Sequence, residues 1–317
     1  MRIIKTSTPF FISLVFVLVA CGSLNGNTQE SAPYLIMVER ENLFPEGIEY
    51  DTTNGRFLLS SMSEGTIFTV KDDGTYQAFI EDDDLINTVG IEIDLERNRL
   101  LVANSNIAVY TDPTVKPQIF LGIYNLTTGE RLHMIGLIEG EPEGRHFAND
   151  IAVDTEGNAY VTDSAASAVY KVDINGNASV FVESDQFRSP NGIIYHPGGY
   201  LLVADAGNGS IFKVPLDNPD GITRVELEQV IEGADGMVLH PNNNLIVVGS
   251  RIQTIFSLSS DDDWASATIE ATDAGHPAST VALRGNQVYA IYPHLDKYFG
   301  GETVKVFGIV RVEFGKD

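Results

Sequence analysis

Four oxygen-bearing side chains stand at matching places in the chain: Glu46, Asn149, Asn191 and Asp235. Each precedes a small or polar residue and then an apolar run, as in Glu46-Gly47-Ile48, Asn149-Asp150-Ile151, Asn191-Gly192-Ile193 and Asp235-Gly236-Met237. Two carboxylates and two amides are hard oxygen donors of the kind Ca²⁺ prefers. That ion takes about 6 to 8 oxygens, so four protein donors leave places for water and substrate. The carboxylates would neutralise the dication, and the amides add ligands without adding charge. Another divalent cation is compatible with such a set, whereas zinc is not expected, because no His or Cys stands in it. Asn-Gly and Asp-Gly are also common turn signals, and one alone would mean little. Four donors in equivalent slots, with Glu46 where turn chemistry does not call for Glu, point to a metal site.

The slots are equivalent because the chain repeats. Asn149, Asn191 and Asp235 lie 42 and 44 residues apart, and each opens the same pattern: an apolar strand, a Gly/Pro/Asn turn and a second strand, as in AVDTEGNAYVTDS and IYHPGGYLLVADA. Such a period is typical of propeller blades. Residues from Glu46 onward, with Thr-Asn-Gly and Asp-Asp-Gly turns between alternating runs, read as a four-stranded antiparallel meander. Two weaker openings, at Val89 and Ser279, bring the count to six. The reading is an all-β six-bladed propeller with four-stranded antiparallel blades. The spare strand Tyr34 to Val38 would complete the last blade and close the ring. No helix is expected beyond the N-terminal signal, and no second domain. In a propeller the innermost strand of each blade lines the central channel, so Glu46, Asn149, Asn191 and Asp235 would form a ring with gaps at Val89 and Ser279.

The 317 residues carry 44 acids against 20 bases, a net charge of −24, which leaves no basic footprint for nucleic acid or an anionic membrane surface. Hydrophobic content of 43% is enough to fill a core. Met-Arg-Ile-Ile-Lys followed by an apolar run to Ala20 reads as a signal peptide over residues 1–20. Leu18-Val19-Ala20-Cys21 looks like a bacterial lipobox, with Cys21 the lipidation site. Residues 21–33 form a small polar tether, and residues 34–317 the propeller. Cys21 is the only cysteine, so no internal disulfide is available. The expected location is the bacterial cell envelope, lipid-anchored in the outer membrane and facing the periplasm. The membrane is met only through the anchor, and the protein is expected to be a monomer.

Pro45-Glu46-Gly47, Asn149-Asp150, Pro190-Asn191-Gly192 and Asp235-Gly236-Met237 resemble the metal-site motifs of the senescence marker protein/gluconolactonase/luciferin-regenerating-enzyme family. The layout is also similar to the calcium site of diisopropyl fluorophosphatase and, more distantly, serum paraoxonase. The resemblance runs from Leu43 to His294. It implies a six-bladed propeller with one catalytic divalent ion at the channel mouth, held by Glu46, Asn191 and Asp235, with Asn149 a ligand or substrate contact. Gluconolactonases of the family commonly carry Arg and Pro before the Asn-Asp pair; here Phe147 and Ala148 stand there. That departure favours a more apolar ester or lactone over a sugar lactone, with Phe147 as a substrate contact.

The second strand of each blade returns to the metal face, which nominates Ser61, Asn104, Asp163, Asp205, Arg251 and His294 for the rim. Asn104 and Arg251 are read as substrate contacts, and Asp163 and Asp205 more as turn residues. Residues 110–116 would hang over the same face. His196 and His240, in His-Pro turns on the far face, are expected to be solvated. His294 is the best general-base candidate among the histidines, ahead of His146. The expected function is calcium-dependent hydrolysis of a small-molecule lactone or ester, with phosphotriesters as promiscuous substrates; Asp235, Glu46 or His294 would activate water, or a carboxylate would attack directly. A second reading is a non-catalytic surface propeller that binds a ligand or protein and uses the ion structurally.

Overall fold

The computed structural model describes residues 32–140 and 143–315. The signal segment, Cys21 and the tether up to residue 31 lie outside the described residues.

The strands of the described residues form six separate sheets, four of them plain four-stranded meanders. Blade one runs Ile48–Asp51, Arg56–Leu59, Thr66–Val70 and Tyr76–Glu81. The inner strands of blades two to six are Asn87–Asp94, Ala148–Val153, Pro190–His196, Ala234–Leu239 and Val281–Arg284. Each inner strand touches the next around the ring, and the last touches the first. In blade six the fourth strand is Leu35–Val38, paired antiparallel with Phe307–Arg311 from Leu35↔Val310 to Val38↔Phe307. The N-terminal strand thus closes the ring, with Ile36 and Val38 buried. Blade five adds a two-residue strand, Glu226–Leu227, parallel to its outer strand.

The second strands explain why the sequence reads as short continuous apolar runs. Ala159–Asp163, Tyr200–Asp205 and Leu245–Gly249 are buried along their whole length. Each lies between the faces of two neighbouring blades, so neither of its faces meets water and no polar alternation is required. The turns are fastened by aspartates: Asp51 accepts from the Thr53 and Asn54 amides, and Asp154 from those of Glu156 and Asn158.

Two features depart from the strand-only expectation. A short helix, Leu295–Phe299, follows the second strand of blade six, and a 3₁₀ turn, Ile107–Tyr110, follows that of blade two. Among the described residues no helix is long and apolar enough to cross a membrane.

Candidate metal centre

Four inner strands begin with the same irregularity. Their pairing to the second strand slips between Thr88 and Ile91, Ala148 and Ile151, Pro190 and Ile193, and Ala234 and Met237. A bulge of this kind leaves residues unpaired and re-aims their side chains. Asn149, Asn191 and Asp235 occupy the same bulge position in blades three, four and five. Val89 holds it in blade two. Glu46 reaches the ring differently: it precedes a regular inner strand, and Ser60 Oγ accepts from the Gly47 amide at 2.7 Å. Ser279 Oγ donates to the Glu46 carbonyl at 2.7 Å, so the gap at blade six serves to hold Glu46.

Glu46, Asn149 and Asp235 are 8%, 7% and 8% exposed. Asn149 Oδ1 and Asp235 Oδ1 are buried and have no hydrogen-bond partner in the protein. A buried polar oxygen without a partner is costly, and a cation would remove that cost at both atoms. Burial raises Glu46 well above the usual carboxylate range, and the Asp235 and Asp150 carboxylates push it the same way. Burial lifts Asp235 to about 7, with Ser250 pulling back part of the way. Hard oxygens, partnerless atoms and uncompensated negative charge together fit a Ca²⁺-type ion held by Glu46, Asn149, Asn191 and Asp235. Among the described residues no three His, Cys, Asp or Glu side chains are arranged to hold a metal; the candidate set mixes carboxylates with amides.

Below Glu46 and Asn191 runs a cavity of 170 Å³ along the axis, also lined by Glu49, Glu92 and Asp150, with no basic side chain in its wall. Burial raises Glu49 to about 8 and Asp150 to about 7, and Glu92 well above its usual value. Sequence reasoning missed these three. The signal was there for two of them: Glu49 and Glu92 sit three residues after Glu46 and Val89, at one offset in otherwise apolar strands. Asp150 occupies the position that is glycine in four other openings.

The rim candidates divide. Asn104 is fully buried: its amide accepts from the Ile86 amide at 2.7 Å and donates to the Asp84 carbonyl at 2.9 Å. The expectation that it contacts substrate is therefore corrected, since both ends of its side chain are spent on backbone. Asp163 and Asp205 are likewise braces, each accepting several backbone amides. Ser61 is buried and donates to the Leu43 carbonyl. Phe147 is 3% exposed and lies beneath Tyr110, ring centroids 5.1 Å apart, so it belongs to the core and Tyr110 is the aromatic surface there. Arg251 is exposed, its stem lying on Gly233, two residues before Asp235.

Of the histidines, His146 faces the Asp163 carboxylate at 2.7 Å with one nitrogen and the Glu143 carbonyl at 3.0 Å with the other. The hydrogen bond to Asp163 raises the His146 pKa, and with both ring nitrogens engaged His146 acts as a brace of this loop. His294 caps the short helix in a left-handed conformation, φ 53°, its ring against Phe307; it is not part of the cavity wall. His196 stacks on Tyr200 and His240 meets the Asn286 carbonyl, and both are half-exposed.

Residues 44–292 match the SMP-30/Gluconolactonase/LRE-like region. No curated protein sequence matches the chain. Among solved structures, the major allergen Mala s 1 of Malassezia sympodialis superposes with a TM-score of 0.74 at 19% identity, covering 89% of this chain and 96% of that one. A gluconolactonase from Xanthomonas campestris gives 0.61 at 13% identity, over 88% and 89% of the two chains. Virginiamycin B lyase from Staphylococcus aureus gives 0.58 at 11%, over 88% and 99%. At these identities the structural likenesses speak to the fold.

Proposed function

Because the chain belongs to the SMP-30/gluconolactonase/LRE-like family, we propose that it is a calcium-dependent hydrolase of a small lactone or ester. The observation that carries this reading is the pair of buried, partnerless oxygens on Asn149 and Asp235, set in equivalent bulges of one ring beside Glu46. A gluconolactonase among the structures of like fold is consistent with it.

Glu46, Asn149, Asn191 and Asp235 would hold the ion, whose bound charge supplies stabilisation of the carbonyl oxygen as it gains negative charge. The protein's own part is acid–base work. A carboxylate, Asp235 before Glu46, takes a proton from water as the water oxygen adds to the carbonyl carbon, and returns it to the leaving alkoxide when the acyl C–O bond breaks. His294, its ring 5.7 Å from that of Phe307, is the alternative base. Direct attack by a carboxylate on the acyl carbon gives the same products through an anhydride and is separated by isotope labelling from water. Tyr110, 41% exposed over buried Phe147, supplies an apolar rim suited to a less polar substrate than a sugar. Phosphotriesters, which develop charge on a phosphoryl oxygen in the same way, are proposed as slower substrates. The lipid anchor at Cys21 would place this activity at the bacterial envelope, as a monomer.

Asp235→Ala is expected to abolish both calcium binding, measured by calorimetry, and turnover on a panel of aryl esters and lactones assayed with calcium and with chelator. Retained turnover with normal metal dependence would sink the proposal. Calcium binding by the wild type without turnover on any substrate would instead mark a binding propeller with a structural ion.

A further inference from the structure

We propose that Ser164 is a positioning residue that sets which end of the Asn149 amide faces the ion; this rests on the metal-site reading above. Ser164 follows the second strand of blade three and is 7% exposed. Its Oγ lies 2.6 Å from the Pro190 carbonyl oxygen. A carbonyl can only accept, so the single hydroxyl proton is committed there. The same Oγ lies 2.9 Å from Asn149 Nδ2. Having given its proton away, it can only accept, and the partner it requires is the amide NH₂. Oδ1 is thereby left as the end with no protein partner, and it is buried. Flipping the amide would set its carbonyl against the hydroxyl's lone pair and present two N–H groups to a cation, losing both interactions together.

The relay also joins two donors. Pro190 precedes Asn191, so one hydroxyl connects the Asn149 side chain in blade three to the peptide that carries Asn191 in blade four. Thr162, two residues earlier, runs in parallel: its Oγ1 accepts from the Asp150 amide at 3.0 Å and donates to the Asn191 carbonyl at 2.7 Å. Ser105 and Ser279 hold the Ala148 and Glu46 carbonyls in the same manner, at 2.9 and 2.7 Å. Ser164 differs from these in that it also selects the orientation of a donor side chain.

The test is a double-mutant cycle read as Ca²⁺ affinity by calorimetry on the full chain, with circular dichroism to confirm folding. Ser164→Ala is expected to weaken Ca²⁺ binding by about 10-fold or more, the scale of a lost orienting partner. Ser164→Thr, which keeps the hydroxyl, should bind like the wild type. In the Asn149→Asp background the carboxylate has no NH₂ to misdirect, so adding Ser164→Ala should cost less than about twofold. Wild-type affinity in Ser164→Ala, or an equal loss in both backgrounds, would overturn the proposal while leaving the metal site intact. Failure of the wild type to bind Ca²⁺ would instead overturn the metal-site reading and this inference with it. Should Ser164→Ala not fold, Ser164→Cys, a poor acceptor, takes its place in the cycle.

Discussion

Asn104 and Asn149 are the same residue type near the same mouth, yet they do opposite things. Asn104 uses both ends of its amide on the backbone of residues 84 and 86, while Asn149 keeps one oxygen unspent. The difference is local: Asn104 ends a second strand, where loop amides and carbonyls need partners, and Asn149 sits in a bulge that turns it out of the ladder. Removing the Asn104 side chain takes a hydrogen-bond partner from the Ile86 N–H and the Asp84 carbonyl, both in partly buried bonds, a loss of up to about 1–3 kcal/mol each. Asn104→Ala is thus expected to lower the melting temperature by several degrees with calcium affinity and kcat/KM unchanged; a selective rise in KM at normal stability would restore it as a substrate contact.

The inner strands pack through their second positions. An added Cβ at Gly192 would lie 2.2 Å from the Asp235 carbonyl oxygen, and at Gly47 2.5 Å from that of Val89. These neighbours are backbone, so they cannot swing aside, and the glycines set how closely adjacent openings approach. Gly192→Ala is expected to cost about 1–3 kcal/mol as overpacking. It should also weaken calcium binding, because the displaced peptide belongs to Asp235. Urea unfolding with a parallel calcium titration checks both, and destabilisation with full affinity would separate the packing role from the site. Turn-type spacing made these glycines visible in the sequence, but as turns; their role as spacers between blades follows from the ring.

Along the axis the whole molecule gathers Glu46, Glu49, Glu92, Asp150 and Asp235 with no base in the cavity wall. Burial raises Asp150 and Asp235 to about 7 and Glu49 to about 8, above their values in an unfolded chain. Each binds its proton more tightly folded than unfolded. The stability this contributes is fully present below about pH 4 and is lost as pH rises through 7 to 8. The melting temperature of chelator-treated protein is therefore expected to fall between pH 5 and pH 8. Added calcium should raise it more at pH 8, where the carboxylates are free to ligate, than at pH 5. A chelated protein whose melting temperature does not change over this interval would show that the acids are not clustered in a buried channel.

The sequence by itself determined the blade count and the closing strand, and it aligned Asn149, Asn191 and Asp235, because openings 42 and 44 residues apart write symmetry directly into residue numbers; Glu46 was matched to them by its opening but enters the ring without their bulge. It also placed Asp163 and Asp205 as turn residues, since aspartate at a strand end has a local partner in its own loop. What it left open depends on neighbours remote in the chain. Whether Phe147 lies open or beneath Tyr110, what the His294 ring packs against and which hydroxyl meets the Asn149 amide depend on packing between blades, which no period encodes. The axial acids belong to the same class: a glutamate in an apolar strand looks anomalous alone. Only the closed ring brings Glu49, Glu92 and Asp150 together, where burial makes their charge costly and gives a cation reason to bind.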